Sequence, residues 1–339
     1  MRPCLDPRAI NKLLPDDKYP IPLIKDILES LSGATVMSTI DLKDAYHRFK
    51  IYEPDQPKTA FTWRGVQYMF VGAPFGLKPL SSKFQRVMNI LFADISHFVL
   101  VFIDDIVVFS RSLDDHAVHV RTVIQRLTNA NLLINIAKCH FAQSEILLLG
   151  FRVSTIGIRI DQSKLVNVQD WPVPTNNTQV QHYLGVINYF RDHIPLISRL
   201  CAPLDALRKC PDVPNAWSDE CQRAFDSVKA VLLEAPILHH PDFSRPFHVA
   251  TDASNVGIAA VLYQLPPGTT NDDNAATRQY ITFLARALHP AEKNYSATKK
   301  ELLAIIFALN RFHYYLWGNP CIRTTKPSFT YTPRVHSIP

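Results

Sequence analysis

Residues 102–105 read Phe-Ile-Asp-Asp, two adjacent acids inside an otherwise apolar stretch. Burying one uncompensated carboxylate is costly, and two side by side also repel. A sequence keeps such a pair where divalent cations neutralise it. Phosphoryl transfer needs that arrangement: two Mg²⁺ about 4 Å apart, one activating the attacking hydroxyl, the other holding the triphosphate and leaving group. A third carboxylate must bridge the metals. Asp41 suits that role, ending an alternating stretch and followed by Leu-Lys-Asp-Ala-Tyr. By themselves, two aspartates in a hairpin also fit an exposed turn.

The elements that would position these acids are legible in outline. Residues 35–41 alternate like a strand, with Val36 and Ile40 on one face and Asp41 on the other. Apolar runs at 98–103 and 106–110 flank Asp104-Asp105 as a hairpin. Phe84, Val87, Met88 and Leu91 fall at helical spacing within 81–94, with Ser81 or Ser82 as N-cap. Residues 23–31 read as a short helix and 117–130 as a longer one, its apolar stripe Ala117, Val120, Ile124 and Leu127. Trp171-Pro172-Val173-Pro174 marks a linker, after which helices are expected at 177–191 and 218–234. Pro236, Pro241 and Pro246 mark a second linker. Strands follow at 247–252, 257–264 and 280–286, then a helix at 296–315 whose Leu302, Ile305, Ile306 and Leu309 are expected on its buried side.

Size and composition fit this plan. The chain has 339 residues, enough for two or three cores, and 47% are hydrophobic, which excludes a largely disordered chain. The formal charge of +6 suits a nucleic-acid partner without requiring one. Six cysteines are scattered, with no pair at zinc-finger spacing, so idle thiols in a reducing compartment are expected. Apolar runs near 98–109 and 302–309 are interrupted or too short to span a bilayer. The expectation is a soluble intracellular protein. A hydrolase reading has no support, since neither GxSxG nor a P-loop is present.

Several long motifs carry a resemblance. STIDLKDAYHRFKI (38–51), KTAFTWRGVQYMFVGAPFGLKPLSSKFQRVMN (58–89), FIDDIVVFS (102–110) and CHFAQSEILLLGFRVSTIGIRID (139–161) occur in order. Together they resemble the reverse transcriptase and ribonuclease H region of gypsy-class long-terminal-repeat retrotransposons. The resemblance implies an α+β multidomain fold. Residues 1–151 would form partial fingers and a reverse-transcriptase palm. Residues 152–240 would form a helical thumb and connection, and 241–339 a truncated ribonuclease-H-like domain. It further implies an RNA- and DNA-directed DNA polymerase with Asp41, Asp104 and Asp105 as catalytic metal ligands. Two Mg²⁺ (or Mn²⁺), an RNA template, a DNA primer and dNTP would be its partners. The place implied is the cytoplasm or retroelement particles, after release from a larger polyprotein.

Tyr46 matches the aromatic under the incoming sugar, which rejects a 2′-hydroxyl. Arg2 matches a fingers arginine on the triphosphate, and Phe75 and Gly76 the turn lining the nucleotide pocket. Gln85 matches a polar residue on the template or primer side, or is simply exposed on its helix. Asp44, Asp114 and Asp115 read as structural or solvated. Arg191, Arg199 and Lys209 are candidates for duplex phosphates. FHVATDASNVGIAAVLYQ (247–264) and the segment 289–318 resemble ribonuclease H, with Asp252 and Glu301 matching its first two acids. Two departures stand out around the polymerase motifs: Phe102 replaces a tyrosine, and a lysine-rich fingers strand is expected upstream of residue 1. In the ribonuclease H segment Thr325 stands where a third acid is expected, so that site is expected to be inactive. The competing expectation for the whole chain is a decayed, non-catalytic fragment that at most binds nucleic acid.

Overall fold

Side-chain alternation along two paired strands decides which residues reach the acids and which reach the core. A computed structural model of the chain describes residues 5–269, 272 and 274–324. It divides into two compact units, Met1–Leu149 with Val153–Thr155, and Gly150–Arg152 with Ile156–Pro339.

In the first unit, β1 (Val36–Ile40) lies between two antiparallel neighbours, β5 (Asp105–Ser110) and β6 (His140–Gln143). A short hairpin, β2 (Phe61–Trp63) and β3 (Val66–Tyr68), precedes the helix α1 (Leu80–Leu91). The strand β4 (Val99–Phe102) closes the sheet against β5. Ile40, Val99, Val101, Ile106 and Val108 point into one apolar core with Phe84 and Met88 of α1 and Val123 and Leu127 of α2 (Leu113–Asn129). Thr39, Asp41, Asp105 and Val107 have the opposite parity and line a cleft on the other face. A slip of one residue in the β1–β5 register would turn the acids into the core.

Both helix starts differ from expectation. The N-cap of α1 is Pro79, with no side-chain cap; Ser82 instead donates to the Asp17 carbonyl at 3.1 Å. The start of α2 lies four residues ahead of its apolar stripe because Ser112 caps it, accepting from the Asp115 N–H. Asp115 accepts from the Ser112 hydroxyl at 2.6 Å, a local capping role. Ala117 is exposed, and the helix buries His116 instead. His116 is tied through its two ring nitrogens to the hydroxyls of Ser38 at 2.7 Å and Ser110 at 2.8 Å. That fastens α2 to β1 and β5.

In the second unit, β7 (Gly157–Ile160) pairs with the two-residue β8 (Leu238–His239). Between them run α3 (Gln162–Gln169), α4 (Asn177–Tyr189), α5 (Ile197–Asp205) and α6 (Asp219–Leu233). Tyr183 of α4 and Phe225 of α6 pack with ring centroids 4.7 Å apart and planes tilted by 41°, both fully buried. Further on, β9 (Phe247–Ala253), β10 (Gly257–Gln264) and β11 (Gln279–Ala287) form an antiparallel meander, and β12 (Cys321–Thr324) adds to β9 in parallel. Every residue of β10 is buried, as expected of a central strand.

The helix α7 (Ala297–Arg311) corrects one expectation. Its sheet-facing side is Ala304 and Ala308, both fully buried, with Leu303 and Phe307 half-buried. Leu302, Ile306 and Leu309 are 55%, 48% and 48% exposed. Small alanines let the helix approach the sheet closely, and that turns the larger aliphatic stripe outward.

Candidate active site

The β4–β5 hairpin is as tight as an antiparallel pair allows. Phe102 pairs with Asp105, leaving Ile103 and Asp104 as its two-residue turn. Ile103 has φ of 55°, a left-handed conformation that a β-branched residue rarely adopts. The last β1–β5 pair is Ile40 with Ile106, and one step beyond it on each strand stand Asp41 and Asp105. The hairpin and the register therefore bring Asp41, Asp104 and Asp105 to one edge of the sheet.

These acids feel one another. Asp105 is exposed to solvent yet crowded by the protein around it. That partial desolvation, reinforced by the charges of Asp104 and Asp41, raises its pKa. Lys138 leans toward Asp41 at 3.9 Å, a loose pair open to solvent. Asp41, Asp105, Lys138, His140 and Glu145 line a cleft of about 340 Å³.

Among the described residues no three His, Cys, Asp or Glu side chains are gathered closely enough to form a ready metal cage. Three like-charged carboxylates repel, so their backbones can be fixed while their tips stay apart. The donor set itself is oxygen only, the chemistry that hard cations such as Mg²⁺ and Mn²⁺ take, and their mutual repulsion is what such a cation would relieve.

Tyr46 follows in a short 3₁₀ turn (Tyr46–Arg48) and is 8% exposed. Its ring packs on Phe84 at 5.2 Å and meets the edge of Phe75 at 5.4 Å. Burial raises its pKa, a hydrogen bond with Ser81 opposes this, and Asp104 and Asp105 add to the rise. The phenol thus sits within the field of the acids. Phe75 is 43% exposed beside Gly76, whose φ of 87° puts the chain in a left-handed turn. Sequence reasoning missed the residue that fixes this turn. Asn11 donates to the Gly76 carbonyl and accepts from the Lys78 N–H, both at 2.8 Å. Asn11 ends a four-residue helix, Arg8–Asn11, too short to leave a periodic signal in the sequence. Arg2 lies outside the described residues.

Comparison with known proteins decides the family. A family model described as reverse transcriptase (RNA-dependent DNA polymerase) matches residues 1–153, and one described as the RNase H-like domain found in reverse transcriptase matches 217–322. Residues 1–153 thus belong to the reverse-transcriptase family and 217–322 to its RNase H-like domain family. It is 35% identical over 333 residues to the retrovirus-related Pol polyprotein from transposon opus of Drosophila melanogaster, covering 95% of this chain and 32% of that one. It is 36% identical over 320 residues to the transposon Tf2-3 polyprotein of Schizosaccharomyces pombe, covering 93% and 23%. The chain thus spans a quarter to a third of these curated relatives.

Among solved structures, it shares its fold with the foamy viral protease-reverse transcriptase dRH in complex with double-stranded DNA. There the TM-score is 0.78 at 23% identity, over 95% of this chain and 55% of that chain. The same viral protein in complex with an RNA/DNA hybrid gives 0.72 at 23%, over 94% and 42%. The α+β architecture of palm, helical middle and ribonuclease-H-like end is that of this fold.

The other reverse-transcriptase candidates fall as follows. Gln85 is fully buried, so it is not an exposed helix residue. Asp252 is half-buried near the end of β9, opposite Ala259, and Glu301 is exposed on α7, the helix that packs on β9 and β10. Thr325 lies outside the described residues. Arg191 spends one guanidinium nitrogen on the Ala285 carbonyl at 2.7 Å, an architectural bond. No helix among the described residues is long and apolar enough to cross a membrane.

Proposed function

We propose that this chain is an RNA- and DNA-directed DNA polymerase that extends a DNA primer on an RNA or DNA template with dNTP. The observation that carries the reading is the convergence of Asp41, Asp104 and Asp105 on one sheet edge beside a buried Tyr46. Asp41, Asp104 and Asp105 would hold two Mg²⁺, or Mn²⁺. When bound, these ions would activate the primer 3′-hydroxyl and stabilise the charge of the triphosphate. Tyr46 cannot retreat, because Phe84 backs it and Phe75 flanks it, so it crowds a 2′-hydroxyl and selects deoxyribose. Phe75 and Gly76 form the wall of the nucleotide site, with Arg2 for the triphosphate.

The division of labour we infer is fingers and palm at 1–151, thumb and connection at 152–240, and ribonuclease-H-like domain at 241–339. The nucleic-acid complexes of the foamy viral neighbour support an RNA–DNA duplex as partner, and the retrotransposon relatives support action in the cytoplasm or in element particles. We take the ribonuclease H site to be silent, because a threonine at 325 cannot supply a carboxylate's charge beside Asp252 and Glu301.

Primer extension with Mg²⁺ on an RNA template tests the polymerase reading, with Asp104→Asn as control. Template-dependent dNTP incorporation well above the control is expected. Incorporation no greater than the control, with duplex binding retained, would instead establish a non-catalytic binding protein.

A further inference from the structure

Gln85 stands directly behind the acid turn. Its Oε1 accepts the Ile103 N–H at 2.6 Å, and its Nε2 donates to the Val101 carbonyl at 3.0 Å and to Asn89 Oδ1 at 2.8 Å. The backbone fixes the orientation of this amide, since an N–H can face only the oxygen and a carbonyl only the nitrogen. Both amide hydrogens are therefore spent, and the side chain is 0% exposed. Nothing on it is left to donate to a nucleotide or a template. Asn89 continues the chain of bonds, donating to the Tyr19 hydroxyl at 2.9 Å. The residue held by Gln85 is Ile103, the β-branched residue at φ 55° that immediately precedes Asp104. An unfavourable backbone conformation persists only where its surroundings over-determine it.

We propose that Gln85 is a positioning residue: it holds Ile103 left-handed so that Asp104 and Asp105 are presented together at the sheet edge, and it touches neither nucleotide nor template. This rests on the polymerase reading above for its catalytic consequence, but not for its structural one. The test uses the full chain and Gln85→Met, which keeps length and apolarity but loses the amide. Hydrogen exchange at the Ile103 amide is expected to accelerate in the variant. In primer extension its kcat is expected to fall about ten-fold or more. The KM for dNTP should stay within about two-fold, and more Mg²⁺ should be needed for half-maximal rate. Adding Ile103→Gly to Gln85→Met is expected to recover part of kcat, because glycine takes positive φ without strain.

A raised KM at unchanged kcat, an unchanged Ile103 exchange rate, or no recovery by Ile103→Gly would each overturn the proposal. Should Gln85→Met fail to fold, Gln85→Glu keeps the acceptor for Ile103. Its Ile103 amide must then stay protected, and fast exchange there overturns the proposal. Exchange is read without catalysis. A silent chain with a Gln85-dependent Ile103 amide therefore overturns the polymerase reading and leaves the positioning role standing.

Discussion

Two side chains of the site lend themselves to separate measurement. Tyr46, proposed to crowd the incoming sugar, is wedged between Phe84 and Phe75. Tyr46→Ala is expected to raise ribonucleotide use relative to deoxyribonucleotide on the order of ten-fold, and Tyr46→Phe to leave selectivity unchanged, since bulk and not the hydroxyl does the excluding. Competing rNTP and dNTP in primer extension measures this ratio. Asp105 gives a stability signature. Its pKa is raised by partial desolvation and by Asp104 and Asp41, so the fold favours its neutral form. As pH climbs out of the ordinary carboxylate range, ionisation therefore costs folded stability, and the cost persists at neutral pH. Asp105→Asn is expected to raise Tm at pH 7 in metal-free buffer while abolishing incorporation. Added Mg²⁺ should raise the Tm of the unmodified chain more than that of the variant. A variant melting below the unmodified chain would show that repulsion is not the dominant force at this edge.

At the scale of elements, what the sequence discloses depends on how its residues meet their neighbours. The strand β1 was legible because alternation puts Ile40 on one face and Asp41 on the other, and the β4–β5 hairpin because two apolar runs flank the acids; the register that pairs Ile40 with Ile106 was not, since nothing local to either strand sets it. Gln85 was not, because a polar residue on an amphipathic helix reads alike whether it meets water or a buried turn; only its burial and its bonds to Ile103 and Val101 tell them apart. The helix α7 misled for a related reason. Leu302, Ile306 and Leu309 make the more hydrophobic stripe, yet contact is governed by how near the backbone can come, and Ala304 and Ala308 come nearer. Overpacking and exposure separate the two faces. Ala308→Leu is expected to destabilise the second unit by about 1–3 kcal/mol. Leu302→Lys and Ile306→Glu should each stay within about 0.5 kcal/mol. Urea midpoints of the three variants decide it, and a large loss from Leu302→Lys would mean that this stripe is covered in solution.

Across the whole molecule, two compact units carry separate titratable stresses, so one chain should answer metal and acid in different places. The three acids proposed to hold Mg²⁺ belong to the first unit, and on that proposal Mg²⁺ should move only the transition in which that unit melts. The second unit holds His193, 3% exposed and stacked on Phe151 at 5.2 Å, with its Nε2 buried and unpartnered. Burial pushes its pKa down to about 4, against a weaker upward pull from a hydrogen bond with the Ile158 backbone. The unfolded chain takes up a proton near pH 6.5, whereas the folded unit resists until about 4, so stability is lost as pH falls through that window. Fully expressed, the loss is roughly 3 kcal/mol. His193→Phe keeps the ring against Phe151 and removes the titration. It is expected to flatten the fall in urea midpoint of the second unit between pH 6.5 and 4, at some cost at neutral pH from the missing bond to Ile158. An equally steep fall in the variant would place the acid sensitivity of this unit elsewhere.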